Sequence, residues 1–229
     1  MKSATMQSEG EFLLEPEAAA LLTGFGIPYV AHGFALDLEE SLSVASHIGY
    51  PVVLKVVSLD IVHKSDVGGV VTDLQDADEL RSGMNVLQEA LLERAPRARI
   101  EGFLVGRHAP PGRDVIVGGV EDQTFGMTVM LGVGGVLAEL LSDVSIRVLP
   151  IDAQDARAMI TEIKAYPWLA GTRGQVGVDL QALEQLLVTV SGFLTAHPEI
   201  AELDLNPVRV HERGISVLDA RIICRKPRE

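Results

Sequence analysis

The stretch DIVHKSDVGGVV, residues 60–71, decides how the rest of the chain is read. His63, Lys64, Ser65 and Asp66 run directly into Gly68 and Gly69. Paired glycines let a backbone approach a ligand closely, and successive amides there can cradle phosphate oxygens. A histidine three residues before Asp66 is then a phosphate acceptor, a metal ligand or an ordinary surface residue. The residues alone leave all three open.

Working outward, YPVVLKVVS just upstream is mostly β-branched and predicts a buried strand with Lys55 inside it. A lysine in that position either snorkels to water from the strand end or meets a buried anion such as a nucleotide phosphate. GGVVTDL predicts a second strand after the glycine pair. Helices are expected from Glu15, with Pro16 in the first turn and Gly26 at the end, and over DLEESLSVASHIG, capped by Asp37 with Glu40 completing a capping box and Gly49 as the stop. A long helix follows Asp76, with Glu79 as its box partner.

RIEGFLVGR and RDVIVGGVED read as strands joined by a Pro-Pro-Gly turn at Pro110, and TFGMTVMLGVGG and SIRVLPI as two more. VLAELLSD between them reads as a short helix. Asp152 and Asp179 open two further helices. LGVGG at Leu131 lacks the spacing of a dinucleotide loop, and there is no Walker A sequence. Strand pairs mixed with helices predict an α+β protein in two lobes, residues 11–101 and 102–229, after a disordered segment 1–10.

The last two strands carry their own geometry. IAELDLNPVRV and GISVLDARII flank the loop His211–Gly214. A four-residue loop between Val210 and Ile215 fixes an antiparallel register in which paired numbers sum to a constant. Asn206 then falls opposite Asp219, and Asp204 opposite Arg221. Alternate residues share a face, so one face carries two carboxylates, an amide and a guanidinium. That set suits Mg²⁺, which takes one or two carboxylates together with phosphate oxygens and water. Arg221 would hold a phosphate or pair with Asp204. A solvated polar face on an edge hairpin is the competing reading.

The 229 residues are 47% hydrophobic and carry a net charge of −13. That charge argues against nucleic acid and against anionic membrane surfaces as partners. No apolar run reaches the ~20 residues of a membrane span, and the N-terminus has no signal-peptide stretch. The one cysteine, Cys224, permits no intramolecular disulfide. These features predict a cytoplasmic protein.

Taken together, GYPVVLKVVSLDIVHKSDVGGVV, DQTFGMTVMLGVGGVLAELLSDVSIRV, ELDLNPVRV and VLDARI resemble the ATP-grasp subunit of ADP-forming acyl-CoA synthetases, relatives of succinyl-CoA synthetase. The resemblance runs from about Glu15 to Ile223. It implies an ATP-grasp fold with ATP or ADP between two α+β lobes, Mg²⁺ as cofactor, and the reaction acyl-CoA + ADP + phosphate ⇌ carboxylate + ATP + CoA. By the same match, His63 is a phosphohistidine that exchanges phosphate with a partner-subunit histidine. Lys55 is the phosphate-binding lysine, and Gly68 and Gly69 form the phosphate loop. Asn206 and Asp219 are the Mg²⁺ ligands. Asp204 orients a phosphohistidine, and Glu139 and Arg147 face the active site.

Two departures stand out. The family places Gln-Glu after EGFLV, where this chain has Gly106, Arg107 and His108, so a carboxylate for ribose has become a cation. Glu101 and the backbone from Phe103 to Val105 remain to read the nucleotide. The family also tends to have Pro-Pro at Val176-Gly177, after Arg173 and Gly174, which match it. The chain is too short to hold the CoA-binding and second phosphohistidine domains, so a CoA-binding alpha subunit is the expected partner, and Met1 with the compact length suggests a separate subunit. A non-catalytic scaffold subunit and a stand-alone ATP-grasp carboxylate ligase are the alternatives.

Overall fold

A computed structural model of the chain describes residues 10–134, 143–172, 174 and 176–225. They divide into two compact units. One comprises Leu14–Glu17 and Val30–Pro110, and the other the described residues of Met1–Leu13, Ala18–Tyr29 and Pro111–Glu229.

The smaller unit is a four-stranded antiparallel sheet. Its strands are β2 (His32–Ala35), β3 (Val52–Val57), β4 (Val70–Leu74) and β5 (Gly102–Arg107), in the order β2-β5-β3-β4. β5 lies between β2 and β3, so the boundary expected at Glu101 is displaced to Pro110. The tight turn expected at Pro110 therefore links strands of two different sheets.

Two helices cover one face of this sheet. In β3, Val52, Leu54 and Val56 are fully buried and meet Leu80, Met84, Leu87 and Leu91 of α3 (Ala77–Arg94). That 4-3-4 spacing puts one stripe of α3 on the core. Ala45 of α2 (Leu38–Ile48) packs on the same core. Strand alternation then sends Lys55 to the opposite face, which is how a lysine fits inside VVLKVV.

Asp37 caps α2 by accepting the Glu40 N–H, and Asp76 caps α3 by accepting the Asp78 and Glu79 N–H groups. The second arm of each expected box lands one residue early: Glu40 accepts from Leu36 and Glu79 from Gln75. Each glutamate thus satisfies the amide just ahead of its cap.

The larger unit has a seven-stranded antiparallel sheet. It consists of β1 (Gly10–Phe12), β6 (Arg113–Asp122), β7 (Gly126–Val133), β8 (Val144–Val148), β9 (Ile200–Val210), β10 (Ile215–Val217) and β11 (Ala220–Arg225). The order is β1-β11-β9-β6-β7-β8, with β10 also pairing β9. Gly10 opens β1, so it is not part of a disordered segment.

Most of α1 (Glu15–Gly24), together with α4 (Ala153–Glu162), α5 (Tyr166–Ala170) and α6 (Leu180–Ala196), shares one apolar core with the inward residues of this sheet, among them Val117, Val129, Leu203, Leu205 and Ile222. α6 contributes Leu183, Leu187, Val190 and Leu194, again one helical stripe. α5 is too short for periodicity to reveal, and the sequence reading passed over it. Among the described residues no helix is long and apolar enough to cross a membrane. The helix expected over VLAELLSD falls outside the described residues, except for Asp143.

Candidate functional site

In the smaller unit the chain leaves β3, carries Asp60–His63 across a loop and enters a single 3₁₀ turn, Lys64–Val67. The loop is pinned at Asp60, whose Oδ2 accepts the Arg99 N–H at 2.7 Å, and at Ile61, which is buried in the core. His63 occupies the N-cap position of the 3₁₀ turn, exposed and without a side-chain bond to it.

Beside His63 lies an ionic cluster. Lys55 Nζ is 2.6 Å from Glu15 Oε1, and Lys64 Nζ is 3.0 Å from Glu15 Oε2. All three side chains are at least 86% buried by their side-chain exposures of 12%, 14% and 3%. Lys55 thus has an anionic partner, which resolves how its ammonium tolerates burial. Glu15 was read only as the start of a helix. Its contact with Lys55 spans 40 positions, and no local pattern announces it.

The glycines after His63 have a structural job. Gly68 sits at φ +71°, the left-handed region, and donates its N–H to Ser65 O at 3.2 Å. Gly69 donates to Lys64 O at 2.7 Å. A Cβ on Gly69 would lie 2.6 Å from Val56 Cγ1. Both amides therefore close the turn, and the expected phosphate cradle at Gly68 and Gly69 is corrected: glycine is required here for handedness and close packing.

In the larger unit the hairpin register holds as the loop length dictates. Ile215 pairs Val210, Ala220 pairs Leu205 and Arg221 pairs Asp204, with the Asn206 N–H donating to Asp219 O at 3.1 Å. Opposite β6, a bulge accommodates Asn206 and Pro207, so Leu205 and Val208 both face the core. Asp204, Asn206, Asp219 and Arg221 share the face away from the helices. The Arg221 guanidinium lies 5.1 Å over the Phe12 ring and 3.4 Å from Glu202. Its Nε is buried with no hydrogen-bond partner among the described residues. Asn206 is exposed and Asp219 half-buried. A carboxylate and an amide oxygen are hard donors of the kind Mg²⁺ takes together with phosphate oxygens and water. Among the described residues no cluster of three or more His, Cys, Asp or Glu side chains forms a closed metal site.

With this geometry in hand, the comparisons are direct. A family model described as the ATP-grasp domain matches residues 4–224. The chain is 42% identical over 217 residues to the acetate–CoA ligase [ADP-forming] I subunit beta of Pyrococcus furiosus, covering 95% of this chain and 94% of the relative. The chain belongs to the ATP-grasp family of ADP-forming acyl-CoA ligase beta subunits.

Solved structures agree. Acetyl-coenzyme A synthetase 1 of Ca. Korarchaeum cryptofilum, in complex with coenzyme A, Ca-AMPCP and HgCl+, superposes with a TM-score of 0.91 at 46% identity, covering 94% of each chain. A second structure of that synthetase holds coenzyme A and Mg-AMPPCP, with its phosphohistidine segment pointing towards the nucleotide binding site. It superposes with a TM-score of 0.81 at 44% identity, covering 93% of each chain.

Three other family expectations change in this ATP-grasp chain. Phe103 and Val105 are buried in a strand paired on both sides, so their backbone groups are engaged in the sheet and are not presented to an adenine edge. Arg147 pairs across the sheet with Val129, then Gly119, Leu203 and Ile222, which places it on the helix face, opposite to Asp204. There its guanidinium binds Glu162 of α4 at 2.5 Å, and the carboxyl is held below its usual range chiefly by that bond. Arg147 therefore links the sheet to α4 and is removed from the catalytic set. Arg107, the departure in the hinge, turns its Nη1 to Ile48 O at 2.7 Å and caps the C-terminus of α2. Glu101 stands before β5, paired with Arg99 at 3.0 Å. Glu139 and Arg173 lie outside the described residues.

Proposed function

We propose that this chain is the nucleotide-binding subunit of an ADP-forming acyl-CoA synthetase and passes a phosphoryl group through His63. The observation that carries this reading is the placement of His63. It is exposed, and the next residue, Lys64, shares the Glu15 carboxylate with Lys55. A nucleophilic imidazole is thus held one residue from a cluster containing the lysine that the family match assigns to phosphate.

Phosphoryl transfer asks the protein for positioning and charge neutralisation more than for covalent chemistry. In the ATP-consuming direction a neutral His63 ring nitrogen attacks the γ-phosphorus. A P–N bond forms, the bond from the γ-phosphorus to the bridging oxygen breaks, and ADP departs with that electron pair. In the opposite direction phosphohistidine is attacked by the terminal oxygen of ADP. Lys55 contacts phosphate oxygens, Arg221 adds positive charge and Asp204 orients a phosphohistidine. Glu101 is retained as a nucleotide contact. Asn206 and Asp219 would hold Mg²⁺, which when bound neutralises phosphate charge.

The carboxylate activation and CoA chemistry belong to a CoA-binding alpha subunit with its own phosphohistidine, and the pair works in the cytoplasm. A silent scaffold subunit was suggested by Arg107, but that guanidinium caps α2 and carries no such argument. Adding the candidate alpha subunit, an acyl-CoA, ADP and phosphate tests the proposal. ATP formation that requires both subunits is expected; none with any tested acyl-CoA, together with no MgADP binding by calorimetry, overturns it.

A further inference from the structure

We infer that Glu15 is a positioning residue for phosphoryl transfer, tethering both ends of the loop that carries His63. This deepens the proposed function and rests on it. Lys55 lies on β3 before the loop, and Lys64 follows His63 immediately. Glu15 Oε1 takes the first ammonium at 2.6 Å and Oε2 the second at 3.0 Å. One carboxylate therefore cross-links positions 55 and 64 from the first turn of α1, inside the same compact unit.

Three features argue for a placed device. The Glu15 carboxylate is 97% buried, where a charge persists only if specifically engaged. Its Oε1 accepts a hydrogen bond from Lys55 and its Oε2 makes an ion-pair contact with Lys64, so one carboxylate faces both ammoniums. In the loop between the lysines, Ser58, Asp60 and Ile61 supply side-chain anchors, all ahead of His63. On the far side of His63 the Lys64 ammonium is the anchor nearest to it, three residues ahead of Val67, which packs on the apolar core, and the backbone bond from Gly69 N–H to Lys64 O also holds the turn. Without it the exposed imidazole keeps its chain but loses the fixed direction that phosphoryl transfer requires, and a misplacement of about 1 Å costs roughly 100-fold in rate.

The test compares wild type with Glu15→Gln, which keeps the shape and removes the charge, and with Lys64→Met, which leaves the Lys55–Glu15 pair in place. Two readouts are taken. The first is amide hydrogen exchange of residues 62–67 without nucleotide, against α6 as internal control. The second is the rate at which MgATP phosphorylates His63. The inference expects exchange at 62–67 to accelerate about tenfold in both variants while α6 is unchanged, and transfer to slow about 10- to 100-fold. The double variant should be no slower than Glu15→Gln alone, because both residues act in one contact.

Unchanged exchange at 62–67 overturns the tether. Faster exchange with wild-type transfer overturns the positioning role. A wild-type protein that takes no phosphate even with its partner overturns the functional reading and the catalytic half of this inference, while the exchange result still decides the tether. Should Glu15→Gln fail to fold, Lys64→Met alone decides both points.

Discussion

The Asn206 N–H donates to the carbonyl of Asp219 at 3.1 Å, so the two side chains start from directly opposed positions on neighbouring segments. This backbone bond makes the donor pair a property of the hairpin and independent of any bound ion. Partners that merely orient metal ligands cost about 10- to 100-fold in affinity when removed, so Asp219→Asn and Asn206→Ala should each weaken Mg²⁺-dependent MgADP binding by about tenfold or more. Calorimetry at varied Mg²⁺ checks this, and the thermal midpoint should move little because both groups face away from the apolar core.

Arg107 reaches Ile48 O at 2.7 Å from the strand that should have carried a ribose-binding carboxylate. A cation at a helix C-terminus contributes about 0.3–1 kcal/mol. Arg107→Ala should lower unfolding free energy by that amount and leave MgADP affinity within about threefold. A large loss of affinity with unchanged stability would show that the guanidinium serves the nucleotide instead.

Gly69 has no room for a side chain. A Cβ there would stand 2.6 Å from Val56 Cγ1 and 3.0 Å from Lys64 O, and Val56 is fully buried. Gly69→Ala should therefore destabilise by about 1–3 kcal/mol, measured by urea denaturation. Because it also presses on the Lys64 carbonyl, it should slow transfer to His63 as well.

The terminal hairpin was legible because its four-residue loop is a local fact and sets the pairing of the two arms. Its register, Val210 on Ile215 through Asp204 on Arg221, follows from it. Arg147 was not legible. Its face depends on pairings through β7 and β6 to β9, and no local pattern states which strands neighbour one another. β5 failed for the same reason: FLVG reads alike at an edge or in the middle, and only the sheet order shows that its backbone is fully paired. Gly68 and Gly69 were recognised as essential, but the amides point into their own turn. Glu15 gave no signal, since its meaning lies in lysines 40 and 49 positions away.

Acid should weaken the fold through identifiable carboxylates. The Asp179 carboxylate accepts the Gly214 N–H at 2.8 Å and the Ala182 N–H at 3.0 Å, and these bonds, the Gly214 one foremost, hold it below its ordinary value. A carboxyl with a lowered folded value contributes stability above its unfolded value of about 4, and loses it as pH falls through the lower folded value. Thermal midpoints should thus be flat near neutrality and drop below about pH 4. Asp179→Asn should start lower at neutral pH and fall less steeply in acid. A variant with the wild-type profile would show that these bonds contribute nothing.

If His63 carries phosphate, the intact mass of the protein after incubation with MgATP reports it. Wild type and His63→Ala are run side by side at neutral or mildly alkaline pH, alone and with the candidate alpha subunit. A single acid-labile phosphoryl group is expected on wild type and none on His63→Ala. Phosphate on both proteins, or on neither when the alpha subunit is present, would contradict it.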